Sequence, residues 1–307
     1  MLKRCLLAIC IGCMIFQFSC DKKSKPSSKK AQDTEGVLVL RLSGEPTYLN
    51  PILYTDAYSG EVVGKVFSGL FRVNETLELE PDLVETYSIS DDKKTYTFTL
   101  KKDVLWQDGT PLTAKDVKFT FDKILDPTTN TVRRSNFILD GQPIQFKVLD
   151  THRFQATLPK PYAPFLTRVS MEILPEHILG KQDINTTSFN QNPVGSGPFI
   201  FKTWKTGQYI ELVRNDTYHG KKPKLKGILY KILPDTNTAK IALEKGEIDM
   251  TGIQPKDYDK MKKNAMVNLF EYDDLHYSYM AFNLKNPLFQ DLRLRKAIAH
   301  AINKEAL

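Results

Sequence analysis

Pro81-Asp-Leu-Val-Glu-Thr-Tyr-Ser-Ile-Ser-Asp-Asp-Lys-Lys-Thr-Tyr-Thr-Phe-Thr-Leu-Lys-Lys-Asp-Val-Leu-Trp-Gln-Asp-Gly-Thr-Pro-Leu-Thr-Ala-Lys-Asp-Val-Lys-Phe-Thr-Phe121 is the stretch from which the fold is read. Tyr87 to Ile89 predicts a short strand, and Ser90 to Lys94 a polar turn. Thr95 to Leu100 then alternates, with Tyr96, Phe98 and Leu100 on one face and threonines on the other, the period of a half-buried strand. The two strands read as a hairpin. Past Trp106, Asp108-Gly109 supplies a tight turn. Thr113 is placed to cap a helix, because its hydroxyl can accept a free backbone N–H and Asp116 sits beside the positive dipole end. Val117, Phe121, Ile124 and Leu125 form the apolar stripe, and Asp126-Pro127 ends it.

Upstream, Val37 to Leu42 is an apolar, β-prone run, followed by turn chemistry in Gly44-Glu-Pro-Thr-Tyr-Leu-Asn-Pro51. Ser59 to Phe71 carries helical spacing with Ser59 as the expected cap. Downstream, a strand pair is expected at 144–149 and 153–157, and a short helix near 163–169. Gly195-Ser-Gly197-Pro198 reads as a turn into a hairpin of Phe199–Trp204 and Ile210–Arg214. A strand at Gly227–Leu233, a helix at Asn237–Lys245 closed by Gly246, and a buried strand at Ile248–Met250 follow. Near the end, Tyr277–Phe282 reads as a strand. Asp291 caps a helix with stripe Leu294, Ala297, Ile298 and Ala301, and Asn303 to Leu307 looks like the first turn of another. Uneven alternation of strands and helices, with hairpins inserted, predicts an α/β protein with mixed sheets.

The charge balance is +7, from 43 basic and 36 acidic residues dispersed along the chain, which argues against a nucleic-acid footprint. All four cysteines, Cys5, Cys10, Cys13 and Cys20, precede Asp21, so the body has no disulfide framework and no thiol nucleophile. Lys3 and Arg4 before the apolar run Cys5–Phe18, with Ser19 ahead of Cys20, read as an export signal. The pattern resembles a bacterial lipoprotein signal that ends in a lipidated cysteine, here Cys20. Gln17 departs from it, since a leucine-like residue is usual three places before the cysteine. A short uncleaved anchor is the alternative. Residues 21–36 then read as a flexible, charged tether.

Three stretches together resemble the family 5 extracellular solute-binding proteins of oligopeptide, dipeptide and nickel importers. They are Pro81–Phe121; Pro193–Phe199 with Val213-Arg-Asn215, Gly220–Lys224 and Gly246-Glu-Ile-Asp249; and Phe282-Asn283 with Pro287–Ile298 and Ala301–Ala306. The resemblance implies a two-lobed clamp of the periplasmic-binding-protein type II kind. On that plan residues 37–55 and 186–272 build the first-lobe core, residues 56–185 an inserted subdomain, and residues 273–307 begin a second lobe that is largely missing. It implies a monomer that takes a peptide by its main chain and delivers it to an ABC-importer permease and, through that, its ATPase subunits. It implies no cofactor and no nucleic acid. Cargo of nickel, haem or sugar on the same fold, or a lipid-anchored surface role without transport, are the alternatives.

Candidate ligand contacts are Glu45 and Tyr48, where the first strand breaks into a turn; Gly252 and Ile253, at a C-terminal strand end; and His276, Tyr279 and Asn283, on the strand entering the second lobe. Local turn-building is the competing role for the first pair, and core packing for half of the last group. Trp106 and Asp108-Gly109 read as structural. Catalysis finds no motif: the five histidines stand apart without metal-ligand spacing, and Gly195-Ser-Gly197 lacks the nucleophile-elbow pattern.

Overall fold

The structure, a computed structural model, describes residues 36–272 and 279–303. These fall into two compact units, one ending at Ile253 and the other beginning at Gln254. In the first, β1 (Val37–Leu42) leads through a loop to α1 (Ala57–Val66). Next come β2 (Phe71–Val73), β3 (Leu79–Pro81), β4 (Val84–Ile89), β5 (Thr95–Leu100) and α2 (Ala114–Leu125). The strands β6 (Ile138–Leu139), β7 (Gln142–Pro143), β8 (Gln145–Val148) and β9 (Arg153–Thr157) precede the short helices α3 (Phe165–Val169) and α4 (Glu176–Leu179). The hairpin β10 (Phe199–Lys205) and β11 (Tyr209–Arg214), then β12 (Gly227–Ile232) and α5 (Thr236–Glu244), complete it. The second unit holds α6 (Tyr258–Lys262) and α7 (Leu292–Ala301). No described helix is long and apolar enough to cross a membrane.

One four-stranded sheet has the order β1-β12-β11-β10; β1 and β12 are parallel and the other neighbours antiparallel, a mixed sheet as expected. A second, β4-β5-β9-β8, is wholly antiparallel. The alternation along β5 is realised: Tyr96, Phe98 and Leu100 are buried, and the Phe98 and Phe154 rings stack at 4.8 Å. Complete burial of Phe98 is worth about 3 kcal/mol. Thr113 and Asp116 form the expected capping box, which orients α2 so that Val117, Phe121 and Ile124 are buried. Phe121 stacks on Phe146 of β8 at 4.1 Å. One hydrophobic core runs from the first sheet to the second. The opposite face of β1 puts Val39 with Ala239 and Ala242 of α5.

Gln107 binds these parts together. Its amide group donates to the carbonyls of Val66 and Phe199 at 3.1 and 2.8 Å. Its carbonyl oxygen accepts from Gly195 N–H at 2.9 Å. The Gly195–Pro198 turn runs so close to the end of α1 that a Cβ on Gly195 would lie 1.9 Å from the Val66 carbonyl oxygen, which only glycine tolerates. A second tie is buried: His219 Nε2 and Asp82 Oδ1 are 2.9 Å apart.

Several expectations are corrected. The cap of α1 is Asp56, not Ser59: Asp56 Oδ1 accepts from Ser59 N–H at 2.7 Å, and the Ser59 hydroxyl donates to Asp56 Oδ2 at 2.8 Å. The helix ends at Val66, and Phe71 opens β2 instead of continuing it. Ile248–Met250 is not a buried strand. It touches β1 through a single parallel bridge, Leu40 to Met250, and Met250 is 62% exposed although Ile248 is buried. Residues 279–282 form no strand, and Tyr277 and Ser278 lie outside the described residues. The stripe of α7 has no buried member, with Leu294 and Ile298 half-buried and Ala297 and Ala301 exposed. Residues 304–307, the expected next turn, lie outside the described residues, as do Cys20 and the rest of 1–35.

Candidate functional site

Parallel pairing fixes where a binding surface can form. Because β1 runs with β12 and meets the 248–250 segment in parallel, the loops after all three leave the same end of the sheet. The β10–β11 turn joins them there, since Tyr209 pairs with Lys231 near the finish of β12. Carboxyl ends of strands are where open α/β sheets take ligands.

Glu45 is half-buried in the loop after β1. Its Oε1 accepts from the Trp204 indole N–H at 2.6 Å, and its Oε2 accepts from Gly207 N–H at 2.9 Å. One carboxylate thus fastens the first loop to the β10–β11 turn and satisfies a half-buried indole. A lone pair on each oxygen remains for another donor. Tyr48 is 41% exposed on a backbone held from behind, where Tyr48 N–H reaches Ser59 Oγ at 3.4 Å and Thr47 Oγ1 donates to Asp56 Oδ2 at 2.5 Å. Burial raises the Asp56 carboxyl, but the bonds from Thr47 and Ser59 outweigh it and hold the group below the ordinary aspartate range. Deeper in the loop, buried Asn50 donates to Asn190 Oδ1 at 2.8 Å.

Gly252 is exposed, with nothing within 4 Å of where a Cβ would stand, and Ile253 beside it is half-buried. Glu45, Tyr48, Gly252 and Ile253 therefore share one end of one sheet. Tyr279 and Asn283 belong to the unit beginning at Gln254. There Tyr279 is 78% exposed, and Asn283 accepts from Lys285 N–H at 3.1 Å, building a turn. His276 lies outside the described residues.

Trp204, Gly207 and Asn190 were not foreseen. The available signal was Trp204 itself: an indole N–H beside a hairpin turn needs an acceptor once half-buried. Chemically, this sheet end offers an exposed phenol, a fixed carboxylate and open backbone at a glycine. It is suited to holding an extended chain by polar main-chain contacts.

The model of the bacterial extracellular solute-binding proteins, family 5 (Middle), matches residues 78–307. Oligopeptide-binding protein AppA of Bacillus subtilis is 32% identical over 320 residues, covering 98% of this chain and 57% of its own. NikZ from Campylobacter jejuni, solved in complex with Ni(L-His), superposes with a TM-score of 0.82 at 34% identity over 88% of this chain and 54% of that one. AppA from Bacillus subtilis in complex with a nonapeptide gives 0.80 at 34% identity, with the same coverage of each chain. The α/β fold is that of the family's periplasmic binding proteins. The chain belongs to family 5 of the bacterial extracellular solute-binding proteins, and it spans about half the length of the relatives it matches.

Proposed function

We propose that the whole protein captures oligopeptides outside the cytoplasm and hands them to an ABC-importer permease. The observation that carries this reading is the loop cluster at the end of β1, where Glu45 pins Trp204 while Tyr48 and Gly252 stay open. Such a surface can bind a peptide main chain with weak demands on its side chains. Support comes from the peptide-bound relative of closely similar fold. In this reading the ligand contacts are Glu45, Tyr48, Gly252, Ile253, His276, Tyr279 and Asn283. Residues 37–55 and 186–272 serve as the first-lobe core and 56–185 as the inserted subdomain. The protein acts as a monomer held to the membrane by lipid on Cys20. It acts as a binding protein and not as an enzyme.

Nickel bound with histidine is the second reading, supported by the likeness to a structure holding that complex. Tryptophan fluorescence and thermal shift with mixed oligopeptides, and separately with nickel and histidine, decide between them. A peptide response is expected. A response to nickel with histidine alone overturns the peptide reading, and silence to both overturns solute capture.

A further inference from the structure

A cavity of about 280 Å³ has Arg133, Asn136, Phe137, Arg168, Met171 and Glu172 among the residues that line it. Its polar groups come from separate pieces of chain. Asn136 stands in a 3-10 turn, Arg168 in α3, and Glu172 at an isolated bridge to Gly69. Arg133 is held in place: its Nε donates to Pro51 O at 2.8 Å, and its guanidinium lies 4.5 Å from the Tyr54 ring centroid. Such stacking fixes the plane of the fork. Arg168 is exposed, and its guanidinium makes no hydrogen bond or ion pair among the described residues. Glu172 makes no ion pair with either arginine among the described residues. Burial raises its carboxyl above the ordinary glutamate range.

Two guanidinium groups and a carboxamide around one small cavity make a set matched to an anion with two planar oxygens. We propose that this cavity is a carboxylate-binding subsite, in which Arg133 and Arg168 grip the anion while Asn136 hydrogen-bonds it. The volume fits one residue-sized group, so the carboxylate is either the end of a peptide or that of a small free acid. The subsite is also wired to the loop of Tyr48, because Arg133 bonds Pro51 O and Thr131 Oγ1 donates to Ile52 O at 2.6 Å.

Calorimetric titration of the chain with triglycine, triglycine amide, glycine and acetate at constant ionic strength tests this. Saturable binding of at least one carboxylate is expected, with the amide at least about tenfold weaker than triglycine. Arg168→Gln, on an exposed side chain that packing does not need, should weaken the carboxylate about tenfold, the worth of one charge-assisted bond. Triglycine binding alone assigns the subsite to peptide ends; glycine or acetate binding equally well assigns it to free acids. No saturable carboxylate binding overturns the proposal. Binding indifferent to both amidation and Arg168→Gln also overturns it while leaving peptide capture at the end of β1 intact.

Discussion

Gln107 and Gly195 exchange hydrogen bonds across 88 residues: Gln107 N–H donates to Gly195 O at 2.9 Å, and Gly195 N–H donates to Gln107 Oε1 at 2.9 Å. Two of the stretches that carry the family resemblance are therefore one structural joint. Gln107→Ala removes one side chain and leaves the Gly195 N–H without its acceptor and the Phe199 carbonyl without its side-chain donor, while the Val66 carbonyl keeps the Gly197 N–H at 2.8 Å. Unsatisfied buried groups of this kind cost about 1–3 kcal/mol each, partly relieved by water. A loss of about 2–4 kcal/mol is expected, seen as a lower urea midpoint at unchanged m-value.

Two glycines should behave oppositely. Gly195→Ala drives a methyl to 1.9 Å from a backbone oxygen that cannot retreat, so about 3 kcal/mol or more is lost, or the chain fails to fold. Gly252→Ala meets open space and should leave the thermal midpoint within the effect of about 0.5 kcal/mol. If a peptide main chain lies against Gly252, this silent change nevertheless weakens peptide affinity. Unchanged affinity would remove Gly252 from the site.

Glu45→Gln separates support from binding. A carboxamide oxygen can still accept from Trp204, but its NH2 group cannot accept from Gly207, so about 1 kcal/mol of stability should go. If Glu45 also receives a ligand amine, affinity falls further than the stability change explains, and comparison of the two losses reads this directly.

Glu172 gives a pH signature. Because burial raises its folded pKa, the unfolded chain surrenders the proton first, and stability falls as pH climbs from the ordinary glutamate value of about 4.3 through the raised one. Glu172→Gln lacks that slope. The difference in urea midpoint between variant and parent should therefore grow in favour of the variant from pH 4 to pH 8. A constant difference would show that the carboxyl titrates normally.

What the sequence disclosed was whatever neighbouring residues decide. Thr113 with Asp116, and the Tyr96-Phe98-Leu100 alternation, are local devices and stand as read. Competition between neighbours misled the reading of α1, where Asp56 and Ser59 are both capping types and only the bonds between them show which one caps. Ile248–Met250 has the composition of a strand, yet its edge is met at one bridge and its last side chain faces out. Glu45 was singled out by its place in a turn. Its partners stand 159 and 162 residues away, and no window along the chain could pair them.

The parallel pairing of β1 with β12 has a temporal side. Val37 emerges early from the ribosome, but its partner Gly227 follows about 190 residues later. At ordinary rates of synthesis, roughly 5–20 residues per second, that interval is on the order of ten seconds or more. Throughout it an apolar strand waits with both edges unpaired, a template for the wrong neighbour. Holdase chaperones that recognise extended apolar segments would find Val37–Leu42 before the fold does.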